Sequence, residues 1–356
     1  MKLLTKTQLA LIFLAIACLI GVVTSIIVNS LITNQIIFEA QERVKEDLNT
    51  ARYVYISKMR DIDRTIRWTS ARHVVLTKVI KERNVSSIRS EFLGLMAEEG
   101  LDFLTLVDRK GVVVFRFHNP ESSGDNVMGD PFIKKALEKK GGSGTQVLSG
   151  DELSKEGATL AQKAMIQSIP VPKEKPVRKI EETSGMVLKS AHPITDFKGE
   201  VLGVLTGGVL LNRNYEIVDR IKNIVFKDAK YKGKEIGTAT IFLGDLRIST
   251  NVMDKEGNRA IGTRAMKEVQ EQILGKGMPW IHRAFVVDDW YITAYEPIRD
   301  VQDKIVGMLY VGLLESKYAS MKERLILLFF FFSMSGMLIA LTVSFILSYM
   351  ILKTKT

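Results

Sequence analysis

Two uncharged apolar segments, one near each end of the chain, constrain the fold most strongly. The first runs from Leu9 to Ile32 and the second from Leu325 to Ile351. Both are longer than the ~20 residues that a helix needs to cross a bilayer. Lysines precede the first segment, as they do in a signal peptide, but the apolar core of a signal peptide is only about 7–15 residues long. We therefore interpret the first segment as an uncleaved membrane anchor and the second as another membrane span.

The charges around the first segment predict the topology. Lys2 and Lys6 precede it, whereas Glu39 and Glu42 follow it. Cytoplasmic flanks of membrane helices carry an excess of lysine and arginine. We therefore expect both chain ends in the cytoplasm and residues 34–324 outside it.

Composition excludes several classes of protein. The single cysteine, Cys18, rules out a disulfide framework, a zinc finger or an iron–sulfur cluster supplied by this chain alone. The four histidines are scattered, and no nucleophile elbow, His-Glu-x-x-His pair or phosphate-binding loop occurs. The net charge is +10, but the sequence contains no basic run that could follow a phosphate backbone. We expect no metal, no cofactor, no catalytic residue and no nucleic-acid partner, and therefore no enzyme.

A long helix is predicted after the first apolar segment. Residues 34–93 contain neither proline nor glycine, and apolar side chains recur mostly at three-, four- and seven-residue steps. The members of this apolar stripe are Val44, Leu48, Ala51, Tyr55, Ile62 and Ile66. The stripe fits a core helix that packs along its own domain. It also fits a stalk that pairs with a second copy in a homodimer, and both interpretations stay open for different parts of the helix.

The middle of the chain contains a repeat. Residues 193–210 (PITDFKGEVLGVLTGGVL) align with residues 297–314 (PIRDVQDKIVGMLYVGLL) at a constant offset of 104, since 297 − 193 = 104. Each copy reads as a β-hairpin, and an earlier strand pair precedes each one, at 101–117 and 237–252. The repeat predicts two homologous antiparallel-sheet modules in tandem, and hence an α+β fold.

The repeated motifs carry a family resemblance. The runs VLLNRNYEIVDRIKNIVF (209–226), GTATIFLGDLRISTNV (237–252), RAIGTR (259–264), WYITAYEPIRD (290–300) and GMLYVGLLE (307–315) occur in this order. Together they resemble the tandem Cache sensor region, of the fused Cache-3/Cache-2 type, of bacterial methyl-accepting chemotaxis proteins and sensor histidine kinases. The resemblance implies two PAS-like Cache modules on a long N-terminal helix, flanked by two transmembrane helices.

These observations divide the chain into seven parts. They are a cytoplasmic N-terminus (1–8), a first transmembrane helix (9–33), a long helix and connection (34–100), a membrane-distal Cache module (101–215), a membrane-proximal Cache module (216–318), a second transmembrane helix (325–351) and a cytoplasmic stub (352–356).

The distal module offers one candidate ligand site. Arg116 and His118 are two positions apart, so on a strand they would share a face. Both can donate hydrogen bonds to a carboxylate, and Asp125 follows nearby. The pair resembles the Arg-x-His-Pro pattern of Cache modules that sense citrate-like and dicarboxylate anions. The alternative is a surface strand on which Arg116 pairs with Asp125 or Glu121.

The proximal module offers a second candidate site. On the strand that begins near Trp290, Tyr291 and Tyr295 share one face, which could line a pocket, whereas the face of Trp290 reads as core. We take Tyr291, Tyr295 and Trp290 as candidate ligand contacts, with ordinary packing as the alternative. Arg247 and Arg264 could bind an anion or brace the fold, and the sequence does not separate these roles.

The resemblance and the topology together predict a function. We expect a bacterial inner-membrane receptor, two-pass and homodimeric, that detects a small extracytoplasmic ligand for chemotaxis or two-component signalling. The ligand would be an organic acid or an amino acid, with a carboxylate favoured, and a separate kinase or chemotaxis protein is an expected partner. The family continues into a HAMP segment where this sequence stops, so the alternative is a membrane-anchored structural or adaptor remnant that lacks an output domain.

Overall fold

The computed structural model describes residues 6–82, 85–86, 88–169, 181–227 and 229–353. The predicted cytoplasmic ends lie mostly outside these ranges. The chain divides into two compact units, one formed by residues 1–43 and 314–356 and the other by residues 44–313.

The first unit contains most of the apolar sequence. Its helices belong to α1 (Lys6–Ser70) and to α9 (Glu315–Lys353), which is numbered last in chain order. By length and composition alone, Leu19–Ser70 and Glu315–Val343 could each cross a membrane. The prediction that both apolar segments are helical is confirmed, and the membrane itself stays a prediction.

The second unit contains the sheets. Its shorter helices are α2 (His73–Glu82), α3 (Arg89–Glu99), α4 (Pro131–Leu137), α5 (Gly150–Glu156), α6 (Ala158–Ala164), α7 (Glu216–Ile221) and α8 (Lys267–Gln270), with π-helical turns at Lys222–Phe226 and Glu271–Gly275. Its strands are β1 (Phe103–Asp108), β2 (Val113–Arg116), β3 (Gly142–Leu148), β4 (Ile166–Gln167), β5 (Glu181–Glu182), β6 (Gly185–Thr195), β7 (Val201–Leu210), β8 (Lys230–Tyr231), β9 (Lys234–Glu235), β10 (Gly237–Leu243), β11 (Leu246–Thr250), β12 (Trp280–Val286), β13 (Asp289–Arg299) and β14 (Ile305–Leu314).

Ten of these strands form two sheets with the same topology. The orders are β2-β1-β7-β6-β3 and β11-β10-β14-β13-β12. When the five strands of each sheet are numbered along the chain, both orders read 2-1-5-4-3. The predicted α+β fold with a repeated sheet module is therefore confirmed. We call the first sheet with its helices the distal module and the second the proximal module, after their predicted distance from the membrane.

The repeated hairpins close in the same way. The carboxylate of Asp196 accepts hydrogen bonds from the backbone N–H groups of Lys198 and Glu200, at 2.8 and 2.9 Å. Asp300, at the equivalent position of the second copy, accepts from the backbone two and four residues later, both at 2.9 Å. An aspartate that bonds to its own following backbone stabilises a tight turn. The sequence identity of the two copies at this position thus has a structural cause.

The apolar stripe of α1 packs against the protein's own sheets. The hydroxyls of Tyr55 and Thr145 lie 2.8 Å apart, and Asp63 lies 2.8 Å from the His192 ring on β6. Val44 and Leu48 are buried, so the core interpretation holds for the stripe. Pairing of this helix with a second copy stays a prediction.

The exposed side of α1 carries different residues. Tyr53 and Trp68 are both exposed there, on the side opposite the stripe. Pairing of two chains along α1 would therefore have to use this face, and homodimerisation stays a prediction.

Side-chain packing and backbone hydrogen bonds join the modules within the second unit. Val301, in the turn between β13 and β14, packs against a core cluster of the distal module that includes Phe132. The backbone N–H of Ile169 donates to the carbonyl of Gly262 at 2.8 Å. A cleft of about 520 Å³ lies between the modules, with Gln146 on one wall and Arg264 on the other.

Candidate functional site

Arg116, the first predicted ligand contact, is committed to the protein itself. It is 2% exposed at the end of β2. Its Nη1 and Nη2 donate to the two oxygens of Asp125 at 2.7 and 3.0 Å, and its Nε donates to Glu156 at 3.0 Å. The bond from Arg116 holds the pKa of the Asp125 carboxyl at about 2. The structure therefore favours the ion-pair alternative for Arg116 and Asp125, and extends it to Glu156.

His118 does not share a strand face with Arg116. β2 ends at Arg116, and His118 lies in a bend two residues later, where it is exposed. The alternation rule applies only within an extended strand. The predicted pairing of these two side chains on one face is wrong for this reason.

The interior of the distal module is filled by its own side chains. Val187 and Ala191 belong to apolar core clusters, and Lys189 between them pairs with Asp130. Burial acts to raise the pKa of Asp130, but the charge of Lys189 and the bonds to the carboxylate outweigh it and lower this pKa. Lys189, the cation between these two core residues, is therefore already neutralised by Asp130.

The equivalent strand of the proximal module presents larger and more polar side chains. At the offset of 104, Val187 corresponds to Tyr291 and Ala191 to Tyr295. Both tyrosines are buried, as the predicted pocket face requires. The hydroxyls of these two tyrosines form no hydrogen bond with the residues that the structure describes.

Arg247 is a buried cation of this proximal module. It belongs to β11, is 2% exposed, and its guanidinium lies 4.9 Å from the ring centre of Phe242. Its Nε donates to the Thr263 hydroxyl at 2.9 Å, and its Nη1 donates to the hydroxyls of Thr240 and Thr250 at 2.8 and 3.4 Å. Nη2 donates to none of the described residues, and no described carboxylate pairs with this cation.

The pKa of Arg247 reflects the absence of a carboxylate partner among the described residues. Burial lowers the pKa of Arg247, and the opposing influences come only from Tyr295, Tyr310 and Tyr291. Burial also raises the pKa of Tyr310 to about 12 and raises the pKa of Tyr295 further. The tyrosines are therefore neutral at neutral pH, and the positive charge is uncompensated. A buried cation without an anion is costly unless a partner arrives.

Aromatic rings surround this cation. The ring centres of Tyr295 and Tyr310 are 4.6 Å apart, and that of Phe242 lies 6.1 Å from Tyr295. We call Arg247, Phe242, Tyr291, Tyr295 and Tyr310 the arginine–tyrosine cage. A positive charge, free donors and apolar rings are the elements that bind a small organic anion.

Trp290 does not belong to the cage. It is 40% exposed, with its ring under the Arg283 guanidinium at 4.0 Å and 5.5 Å from Phe285. The prediction that Trp290 is a core residue is therefore wrong, and its role as a ligand contact stays a prediction. Trp280 is the tryptophan on the cage face, because it pairs directly with Tyr295 across β12 and β13. Its buried Nε1 donates to no described residue.

The loop of residues 259–264, which we call the covering loop, pairs through its backbone with β11 at Arg247. Backbone bonds link Arg247 N–H to the Thr263 carbonyl at 2.9 Å, and Gly262 N–H to the Arg247 carbonyl at 3.0 Å. Arg264 in the same loop pairs with Asp245 and donates to Ser168 of the distal module at 3.2 Å. The two roles left open by the sequence thus separate: Arg264 braces the fold, and Arg247 is the candidate anion ligand.

Sequence reasoning missed two of the five cage residues. Phe242 and Tyr310 lie on central strands and read as ordinary core. The available signal was Arg247 itself, a charged residue inside the otherwise uncharged strand Leu246–Thr250. A charge in a fully buried strand needs a partner, and that partner was not evident from the sequence.

The chain is similar to Cache domains in one part. Residues 209–325 match the family model for single cache domain 3, and this segment includes the cage. The resemblance to a Cache sensor region is therefore confirmed there. No curated protein matches the chain.

Several solved structures are similar to the chain at low identity. The periplasmic domain of Vibrio cholerae LuxQ is 9% identical, with 76% of this chain and 99% of that one covered and a TM-score of 0.44. The sensor domain of the V. cholerae histidine kinase DctB is 10% identical over 77% and 96%, with a TM-score of 0.39. The ligand-binding domain of the Pseudomonas fluorescens chemoreceptor CtaA in complex with L-isoleucine is 11% identical over 82% and 98%, with a TM-score of 0.37.

Proposed function

We propose that this chain is the sensory input region of a bacterial inner-membrane receptor, and that its proximal module binds a small anion at Arg247. The observation that carries the proposal is a buried guanidinium with no described carboxylate partner and a free Nη2. The match of residues 209–325 to a cache domain supports a sensory role. The two apolar helices support a two-pass topology with residues 34–324 outside the cytoplasm.

Chain connectivity supports transmission of the binding event. Tyr310 of the cage lies on β14, which ends at Leu314, and α9 begins at Glu315. A ligand that shifts β14 would act on the start of the second apolar helix through the backbone alone. Shifts of 1–2 Å are typical of helices that carry such signals. The receptor is proposed to be homodimeric, to have no catalysis of its own, and to act through a separate kinase or chemotaxis protein.

The experiment is a thermal-shift screen of the full chain in nanodiscs against organic acids, amino acids and amines, repeated with Arg247→Met. We expect at least one anion to raise the melting temperature of the wild type and to leave the variant unchanged. The matched control is Arg213→Met, which removes an arginine outside the cage whose Nη2 donates to the Met165 carbonyl. The proposal fails if no anion shifts the wild type, or if Arg247→Met responds as the wild type does.

A further inference from the structure

The arginine–tyrosine cage contains a single charge. Arg259 and Arg264 in the covering loop are occupied, the first by both oxygens of Asp219 and the second by Asp245. No other cation contributes to the electrostatics of Arg247 or Tyr295 among the described residues. A ligand with two carboxylates could neutralise only one of them here, and the other would be buried without a partner.

The cage itself contains no carboxylate that could pair with an ammonium. The acidic side chains that act on Tyr291 are Asp288 and Asp289, at the start of β13, and Asp289 already pairs with Lys234. Neither acid acts on Arg247 or Tyr295. In an α-amino acid the ammonium is only a few ångströms from the carboxylate, so it would lie close to the guanidinium. Two like charges in a buried site repel strongly.

The unused polar groups of the cage are donors. They are Nη2 of Arg247 and the hydroxyls of Tyr291 and Tyr295, with Nε1 of Trp280 on the same sheet face. Phenol hydroxyls can also accept a bond, so they can pair with a ligand hydroxyl or carbonyl. Ring faces of Phe242, Tyr295 and Tyr310 provide apolar contact for the remainder of the ligand.

From this we infer that the ligand is a monocarboxylate with an uncharged body, and that α-hydroxy acids are favoured within this class. The inference rests on the proposed function, because it assumes that an anion binds Arg247. The carboxylate would take the free Nη2, and the α-hydroxyl would pair with a cage tyrosine. Arg247 is 2% exposed, so the covering loop or a neighbouring segment must open for entry.

Two trios of acids, each with a common side chain and a different α-substituent, provide the test. They are lactate, alanine and methylmalonate, and phenyllactate, phenylalanine and benzylmalonate. Calorimetry on the full chain in nanodiscs should show that the hydroxy acid of at least one trio binds about 100-fold more tightly than its amino acid and its diacid, because each of those buries an unpaired charge. Arg247→Met and Arg247→Lys should both weaken that binding.

The contribution of the ligand's α-hydroxyl is isolated by matched variants and a matched ligand. Tyr295→Phe and Tyr291→Phe are each compared with the wild type for phenyllactate and for phenylpropionate, which lacks the α-hydroxyl. At least one variant should weaken phenyllactate about 3- to 10-fold and leave phenylpropionate unchanged, as expected for one hydrogen bond.

The outcomes separate the inference from the proposed function. If an amino acid or a diacid binds more tightly than its hydroxy acid and depends on Arg247, the inference fails and the proposed function stands. If none of the six acids binds, the inference also fails, and the broader screen decides the proposed function. If binding is unaffected by both Arg247 variants, both fail.

Discussion

Two buried arginines in this protein have opposite electrostatic surroundings. Arg116 pairs with Asp125 and Glu156, whereas the hydrogen bonds of Arg247 to described residues all go to threonine hydroxyls. Removing one partner of a buried ion pair leaves the other charge buried and uncompensated. Removing a buried charge that has no partner leaves no uncompensated charge behind. The same substitution should therefore have opposite effects at the two positions.

The first prediction concerns stability without ligand. Arg116→Met should lower the free energy of unfolding by about 3–5 kcal/mol, since Asp125 and Glu156 lose their cation. Arg247→Met should leave it unchanged or raise it by about 1–4 kcal/mol. The threonines around Arg247 keep other partners, because Thr240 and Thr250 lie 2.6 Å apart and Thr263 donates to the Ala260 carbonyl. Denaturation of both variants beside the wild type is the measurement, and strong destabilisation by Arg247→Met would make Arg247 a structural brace.

The second prediction concerns acid. The pKa of Asp125 is about 2 in the folded chain, below its ordinary value of 3.8, chiefly because Arg116 bonds to the carboxylate. A depressed folded pKa gives stability that is present above the ordinary value and is lost as the pH falls toward the folded one. The melting temperature should therefore decrease between about pH 4 and about pH 2. Asp125→Asn should decrease less steeply over this window, and an equal slope would contradict the assignment.

At the scale of elements, the covering loop depends on glycine. Gly262 has a φ of +87°, and a Cβ there would lie 2.3 Å from the carbonyl oxygen of Gln167. Gly257 has a similar φ of +83° but no atom within 4 Å of the position of a Cβ. The two glycines share the same backbone strain on substitution, but only Gly262 touches the distal module.

The third prediction uses this pair. Gly257→Ala should cost about 1–2 kcal/mol, the usual penalty for a left-handed non-glycine residue. Gly262→Ala should cost clearly more, because the Gln167 carbonyl belongs to backbone and cannot move without disturbing the bond between Ile169 and Gly262. Thermal unfolding of the two variants is the measurement, and equal losses would show that the contact between loop and distal module contributes little.

The sequence predicted elements better than it predicted the site. The repeat at offset 104 predicted two similar sheet modules and their hairpins, because strand alternation and turn residues are local signals. Arg116, by contrast, pairs with Glu156, which lies 40 residues further along the chain. No local sequence signal shows whether Arg116 faces this carboxylate or a ligand. The alternation rule placed Tyr291 and Tyr295 correctly inside, but failed at His118 because β2 ended two residues too early.

At the scale of the whole molecule, the two modules are similar in fold but differ in what fills them. In the distal module Lys189 is neutralised by Asp130, and Val187 and Ala191 pack into core clusters. In the proximal module, among the described residues, Arg247 has no carboxylate partner and the hydroxyls of Tyr291 and Tyr295 form no hydrogen bond. Because only the proximal copy contains a buried cation without a described carboxylate, we expect ligand binding in the proximal copy and a supporting role for the distal one.

The last prediction tests the topology on which the receptor proposal depends. Phe197 lies in the turn between β6 and β7 and is 85% exposed, so a cysteine there should be reachable by a reagent. The single native cysteine is first removed as Cys18→Ser, and Phe197→Cys and Thr356→Cys are then made separately in that background. In intact spheroplasts, a membrane-impermeant maleimide should label the cysteine at 197 and reach the one at 356 only after permeabilisation. This result follows because the positive-inside rule places Lys2 and Lys6 in the cytoplasm, and two spans then return the chain to that side. Labelling of position 356 with protection of position 197 would invert the topology, and the cage would then face cytoplasmic solutes.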